Sequence, residues 1–207
     1  MSPSIRSALA LITVLFIAQP TALCGTGTKP PFNWDRVPLN IHFGKREADL
    51  TEAEIAFVLK DSLNGPGVTA ADVMAATAYI APCFEIVDSR IRDWKIGIVD
   101  TVSDNASCGV FILGEARADP RELDLPGLHV TVTKNGAPLS EGYGAAVQGS
   151  PAAAVAWLAN TLGAFGVTLD AGDIILSGSL VPLADAVKGD VFEMTLHGVG
   201  SCTAKFV

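Results

Sequence analysis

The stretch Thr51-Glu-Ala-Glu-Ile-Ala-Phe-Val-Leu59 decides how the rest of the chain is read. Its Ile, Phe and Val content favours an extended strand. Residues two apart in a strand share a face, so Glu52 and Glu54 project together beside apolar neighbours. A third carboxylate, Glu85, lies in a second stretch of the same character, Phe84-Glu-Ile-Val-Asp-Ser-Arg-Ile91. Carboxylates on an apolar face are costly unless they are paired or bind a cation. A hard divalent ion held by three carboxylates and open to substrate resolves that cost. The two stretches therefore predict a catalytic metal site at Glu52, Glu54 and Glu85.

Working outward, the chain has 207 residues, enough for one domain with a proper core. It is 49% hydrophobic and 17% charged, which excludes a disordered chain. Twenty Gly and twelve Pro indicate many turns and short strands. A formal net charge of −8 argues against a nucleic-acid-binding surface and against an acidic membrane as partner. An anionic substrate remains open to such a chain when a bound metal supplies the local positive charge. The cysteines Cys24, Cys83, Cys108 and Cys202 show no CxxC spacing. They also do not combine with His42, His129 and His197 in zinc-like spacing. They read as small buried hydrophobes, with disulfides left open by the character of the N-terminus.

That N-terminus resembles a secretory signal. The apolar run Leu9–Ala18 follows Arg6 and suits the hydrophobic region of a signal peptide, being short for a membrane span. The alternatives are a buried N-terminal segment or a misplaced gene start. Residues 1–50 form an atypical N-terminal segment, with the signal-like run inside 1–24 and a Pro-rich stretch from Lys29 onward. Residues 51–207 form the patterned domain. Thr69 caps a short helix reaching Ala76. Tyr79–Val87 and the wholly apolar Cys108–Leu113 read as strands, the latter buried. Leu128–Lys134, Asn135-Gly136 and Ala137–Gly142 read as a hairpin. Ser150 caps a helix with Pro151 at its first position, ended by Gly163 and Gly166. Ile174–Leu176, Val191–Leu196 and Cys202–Phe206 complete a strand-rich C-terminal half. The class is α+β, β-rich, with few helices.

Other groups carry chemistry in weaker patterns. Asp88 and Arg90 share the strand face opposite Glu85 and read as an ion pair or turn network. Asp100-Thr-Val-Ser-Asp-Asn-Ala-Ser107 is the densest run of small polar groups and sits between apolar stretches, so its polar atoms need partners or a ligand. Otherwise it is a solvated loop with Asx turns. Ser177-Gly-Ser179 follows an apolar strand and reads as a plain turn or as backbone N–H groups offered to a carboxylate. The three histidines read as structural, His42 in the atypical N-terminal region and His129 and His197 in strands.

Several of these stretches together resemble the 2-keto-4-pentenoate hydratase family, of the fumarylacetoacetase C-terminal-domain superfamily. They are Glu52 to Leu59, Glu85 to Trp94, Asp100 to Ser107, Ser150 to Leu162 and Ala171 to Leu183. The motifs stand in the family's order across roughly residues 51–207. The resemblance implies a mixed β-roll around a Mg²⁺ or Mn²⁺ ion held by Glu52, Glu54 and Glu85. It implies a substrate-side serine at Ser107. Beside it, the reading of the residues themselves leaves Asp88 as a further catalytic candidate and Ser177, Gly178 and Ser179 as candidates for binding the substrate. The implied reaction adds water to 2-hydroxypenta-2,4-dienoate, giving 4-hydroxy-2-oxopentanoate in aromatic meta-cleavage catabolism. The family also contains 4-oxalocrotonate decarboxylases, which pass through similar enolate electronics.

The family context implies a cytoplasmic homo-oligomer acting on a small 2-oxo or 2-hydroxydienoate acid, with a decarboxylase or hydratase paralogue as a further partner. It implies no nucleic acid and no membrane for the mature form; export is the alternative that the N-terminal run favours. The family's Gly-x-Lys-Ile-Gly-Leu-Thr-like motif is not found upstream of Glu52, and Gly44-Lys-Arg46 offers a lysine in a different context. The family's N-terminal half is therefore expected to be missing or replaced. Two further readings stay open: a truncated, catalytically weak homologue that binds metal and 2-oxo acids, and an exported binding protein.

Overall fold

Period-two patterning around the glutamates carries directly into a sheet. The computed structural model describes residues 17–18, 49–89, 91, 97, 100 and 103–207. Within them the elements are β1 (Ile17–Ala18), β2 (Asp49–Leu59), α1 (Ala70–Ala76), β3 (Thr77–Val87), β4 (Cys108–Leu113), β5 (His129–Lys134), β6 (Ala137–Tyr143), α2 (Pro151–Gly163), β7 (Ile174–Leu176), β8 (Ala184–Ala186), β9 (Val191–Leu196) and β10 (Gly200–Lys205). The larger sheet runs β1-β7-β2-β3-β4, with β8 also paired to β2; the smaller runs β10-β9-β5-β6. Every pairing of these strands is antiparallel. The fold is thus α+β and sheet-rich, and its mixture is of strands with two α-helices.

Strand β2 separates two environments. Ala53, Ile55, Phe57 and Leu59 join Ile80, Phe84 and Ile86 of β3 in the main core. The smaller sheet closes that core with Val130, Val132, Phe192, Met194 and Leu196. Phe84 meets Phe192 edge-on at 6.4 Å between ring centroids, and Phe192 meets Phe206 at 5.7 Å. Edge-on contact is a preferred geometry for aromatic pairs. On the other side, Ala56 and Cys83 join Ile174 and Leu176 in a small second cluster, with Val58, Phe111 and Leu113 packed on it. The glutamates lie on that second side.

Local chemistry explains the connections. Thr69 Oγ1 accepts the Asp72 N–H at 3.2 Å while the Asp72 carboxylate accepts the Thr69 N–H at 2.8 Å. This reciprocal cap starts α1. Asn135 and Gly136 have φ of 54° and 78°, the left-handed pair that a two-residue hairpin turn requires. On α2, the Asn160 carboxamide accepts the N–H groups of Gly67 and Val68 at 2.6 and 2.8 Å and donates to the Val68 carbonyl at 2.8 Å. This pins the loop after β2 to the helix.

Four expectations are corrected. Ser150 makes no side-chain capping bond; its carbonyl accepts the Ala154 N–H at 3.1 Å, and Pro151 removes one donor that a cap would satisfy. Gly163 is the last helical residue of α2 rather than the stop just beyond it. A Cβ there would lie 2.4 Å from the carbonyl carbon and oxygen of Gly65, so close approach selects glycine. The reversal falls at Gly166, with φ of 74°. Strand β4 is not buried throughout: Cys108 and Ile112 are buried, but Val110 is 39% exposed. It pairs only with β3, at the sheet's edge, so its two faces do not both meet the core. His197 lies just past β9 rather than within a strand.

Cys83, Cys108 and Cys202 are buried, as small hydrophobes would be. Cys24, His42, Gly44-Lys-Arg46, Arg90, Asp93 and Trp94 lie outside the described residues, as does the signal-like run except Ile17–Ala18, which pairs with β7. No helix among the described residues is long and apolar enough to cross a membrane.

Candidate metal centre

Glu52 is the cross-strand partner of Glu85, and Glu54 the partner of Cys83. Cross-strand partners stand side by side on one face. Register between β2 and β3 therefore gathers all three glutamates. One carboxylate oxygen of each lies within 4.8 Å of the others. Glu52, Glu54 and Glu85 are only 4%, 0% and 3% exposed.

The turn after β7 supplies the fourth wall. Ser177 N–H donates to the Ile55 carbonyl at 3.0 Å, anchoring the turn on β2. Gly178 N–H then donates to Glu54 Oε2 at 2.8 Å. Gly178 has φ of 108°, a conformation that suits glycine. The backbone N–H read from Ser177-Gly-Ser179 as an offer to a carboxylate is thus engaged by a carboxylate of the protein itself. Ser179 Oγ donates to the Val181 carbonyl at 2.6 Å, and Ser177 Oγ lies 3.5 Å from the Gly178 carbonyl.

The electrostatics are those of three carboxyl groups crowded together out of water. Burial, and then the charge of Glu52, push Glu85 up to about 8. Burial pushes Glu52 up to about 7 against a lowering hydrogen bond from Glu54. Burial raises Glu54 well above the ordinary carboxylate range, with Glu85 and Glu52 adding to it and the Gly178 N–H opposing it. Glu52 Oε2, Glu54 Oε1 and Glu85 Oε2 are buried without a hydrogen-bond partner among the described residues. Buried acceptors left so are rare and expensive. Three converging carboxylate oxygens form the all-oxygen donor set that a hard divalent cation takes, and such a cation would satisfy them together. The residues present fit the ion.

A second polar cluster closes the far end of β3. Asp88 N–H donates to the Ser107 carbonyl at 2.8 Å. Ser107 Oγ donates to Asp104 Oδ2 at 3.0 Å, and Ser89 Oγ donates to the same oxygen at 3.0 Å. Ser89, Asp104 and Ser107 are all buried. Ala106 and Ser107 have φ of 56° and 57°, a left-handed pair without glycine. Sequence reading singled out Ser107 and Asp88 but passed over Ser89 and Asp104. The density of small polar groups in Asp100–Ser107 marked the segment; it did not show that Asp104 turns inward to meet a serine 15 residues away.

Elsewhere, of the two described histidines, His129 is half-buried and His197 exposed. His129 stacks between Tyr143 and His197, with ring centroids 4.8 Å apart on each side. Its Nε2 lies 3.2 Å from Glu141 Oε2 on the smaller sheet, apart from the glutamates.

Residues 5–207 match the family described as fumarylacetoacetate (FAA) hydrolase C-terminal. A 2-hydroxyhexa-2,4-dienoate hydratase of Comamonas testosteroni is 61% identical over 155 residues, covering 75% of this chain and 59% of the relative. A 2-hydroxypent-2,4-dienoate hydratase of Pseudomonas putida is 63% identical over 116 residues, covering 56% of this chain and 52% of the relative. The chain spans less than two thirds of the length of these relatives. A 4-oxalocrotonate decarboxylase from Pseudomonas putida G7, complexed with magnesium and adipate, superposes with a TM-score of 0.74 at 39% identity, covering 78% of this chain and 61% of that one. The same enzyme is also known complexed with calcium and acetate, at a TM-score of 0.72.

Proposed function

Because the chain belongs to the fumarylacetoacetate hydrolase C-terminal family, we propose that it acts as a divalent-metal-dependent hydratase. Its substrate would be 2-hydroxypenta-2,4-dienoate and its product 4-hydroxy-2-oxopentanoate, in the cytoplasmic breakdown of aromatic compounds. One observation carries this reading: three buried, mutually close glutamates with orphaned oxygens, in a chain 61% identical to a named dienoate hydratase. A homo-oligomeric state belongs to the same proposal.

Glu52, Glu54 and Glu85 would hold Mg²⁺ or Mn²⁺. When bound, that ion supplies Lewis acidity towards the 2-oxygen of the acid and favours its enolate-like forms. The chain's own groups do the rest. Strands β2 and β3 fix the carboxylates on one face of the sheet, and the Gly178 N–H sets the orientation of Glu54. Ser177 and Ser179 would flank the substrate from the same turn. Burial of the site excludes bulk water, which strengthens every charge interaction inside it. Asp88 is the proposed proton acceptor near the far end of β3, beside Ser107.

Adding the purified chain and Mg²⁺ to 2-hydroxypenta-2,4-dienoate should remove the ultraviolet absorbance of the conjugated dienoate. No loss of absorbance under metal saturation would sink the hydratase reading. The likeness to 4-oxalocrotonate decarboxylase supports a second reading. Release of CO₂ from 4-oxalocrotonate with no hydration of the dienoate would favour it.

A further inference from the structure

Two hydroxyl groups are buried without a partner on the side of β2 away from the glutamates. Thr51 alternates with Glu52 along β2, so its side chain shares the inner face with Ala53 and Ile55. It is 3% exposed. Ser140 on β6 is the cross-strand partner of Val132, a core residue of β5, so it too faces the space between the sheets. Thr51 Oγ1 and Ser140 Oγ are both closed off from solvent, and neither has a hydrogen-bond partner among the described residues. A buried hydroxyl in that state is costly.

Both residues line one small cavity, whose walls include Val132, Leu139, Val181 and Phe192. It holds about 10 Å³ of water-sized space, close to what one water molecule needs and too little for a second. No charged residue lines it, so it offers nothing to hold an ion. The strand register is irregular at the same place. Val132 pairs with Ser140 but Thr133 pairs with Pro138, which leaves Leu139 as the extra residue of a bulge. A bulge takes its extra residue out of the ladder and bends the strand locally.

We propose that a single water molecule is built into the fold here, bridging Thr51 Oγ1 and Ser140 Oγ. Each hydroxyl has one proton and two lone pairs. The water donates to one and accepts from the other, so both are satisfied. The bridge joins the larger sheet to β6, the edge strand of the smaller one, across an interface that is apolar where Phe84 meets Phe192. It also backs the wall of the glutamate centre. Val181 lines the cavity, and Gly178, on the same segment after β7, gives its N–H to Glu54.

Denaturant unfolding of the full chain tests the bridge, because two accounts differ in sign. With the water in place, Thr51→Val removes one of its anchors and should lower the folded-to-unfolded ratio about tenfold, as loss of one buried hydrogen bond predicts. Ser140→Ala should do the same. The double variant should cost less than the product of the two singles, because they act on one bridge. Hydroxyls that are simply unpaired give the opposite result: deleting either relieves a burial cost, so each single variant holds or gains stability and the two act independently. That outcome overturns the proposal. Water-to-protein NOEs on the wild-type chain decide the matter even if a variant does not fold. They should appear at the Val132 and Val181 methyl groups on the cavity wall. They should vanish in the double variant, since a small cavity stripped of polar groups stays dry. Their absence from the wild type, or their survival in the double variant, overturns the bridge.

Discussion

Glu54 concentrates the tension of the metal centre in one side chain. It is 0% exposed, stands beside two further carboxylates, and has a single backbone N–H from Gly178 fixing one of its oxygens. Replacing it with glutamine keeps the shape and the acceptor for Gly178 but removes the charge. Glu54→Gln should reduce Mg²⁺ affinity at least tenfold, read by calorimetry. Without metal it should melt no lower than the wild type at pH 8, because the amide carries neither a buried charge nor the cost of holding a proton at that pH. Ala106 poses the opposite case, a residue whose backbone is strained. Ala106→Gly relieves roughly 1–2 kcal/mol of left-handed strain and spends about 0.5–1 kcal/mol of chain entropy. Its melting temperature should therefore hold or rise slightly, whereas Ala106→Val should lower it.

At the scale of elements, the contact between α2 and the loop after β2 has no room to give. A methyl group on Gly163 would meet the backbone of Gly65 at 2.4 Å, and one on Gly65 would meet the Ala159 carbonyl oxygen at 2.4 Å. Gly163→Ala should cost about 1–3 kcal/mol in denaturant unfolding, the range for overpacking, with Mg²⁺ affinity preserved because the glutamates lie on another surface. The same elements show what sequence could reveal. Alternation in Thr51–Leu59 exposed both the strand and the shared face of Glu52 and Glu54, since a period of two is visible in the residues themselves. Thr69 and the Asn135-Gly136 turn were equally readable, because their chemistry is local. Strand β4 was not: its apolar composition fits a central strand, and only the sheet order shows that it stands at an edge. β8 spans three residues, Ala184–Ala186, too few to display a period. The glycine at 163 looked like a helix stop because its true reason is a neighbour 98 positions away in the chain. Ser89 and Asp104 escaped for the same cause: a hydrogen bond across a loop leaves no spacing rule behind.

For the molecule as a whole, the centre couples stability to pH. Glu52 at about 7 and Glu85 at about 8 sit above their ordinary value of 4.5. The metal-free folded chain then holds protons that the unfolded chain has released. Stability from these groups is complete below about pH 4.5 and is lost as pH rises through 7 and 8. Thermal melts of the metal-free chain should fall across that window. Added Mg²⁺ should raise the melting temperature more at pH 8 than at pH 5, since the ion displaces those protons. Calorimetry in buffers of different ionisation enthalpy should detect the released protons; metal binding without proton release would contradict the burial of the three carboxylates.

The pairing of Glu52 with Glu85 also has a meaning for how the chain finds its sheet. Slipping β2 by one residue against its neighbours would carry Glu52 and Glu54 into the space of Ala53, Ile55 and Phe57, and push those side chains among the carboxylates. Every such misalignment would scatter carboxylates among core side chains, away from Glu85 and from the Gly178 N–H that meets Glu54 in the native register. The glutamates therefore specify strand register as well as forming the candidate site. Replacing all three by leucine would erase that check, leaving a chain free to assemble with its strands out of step.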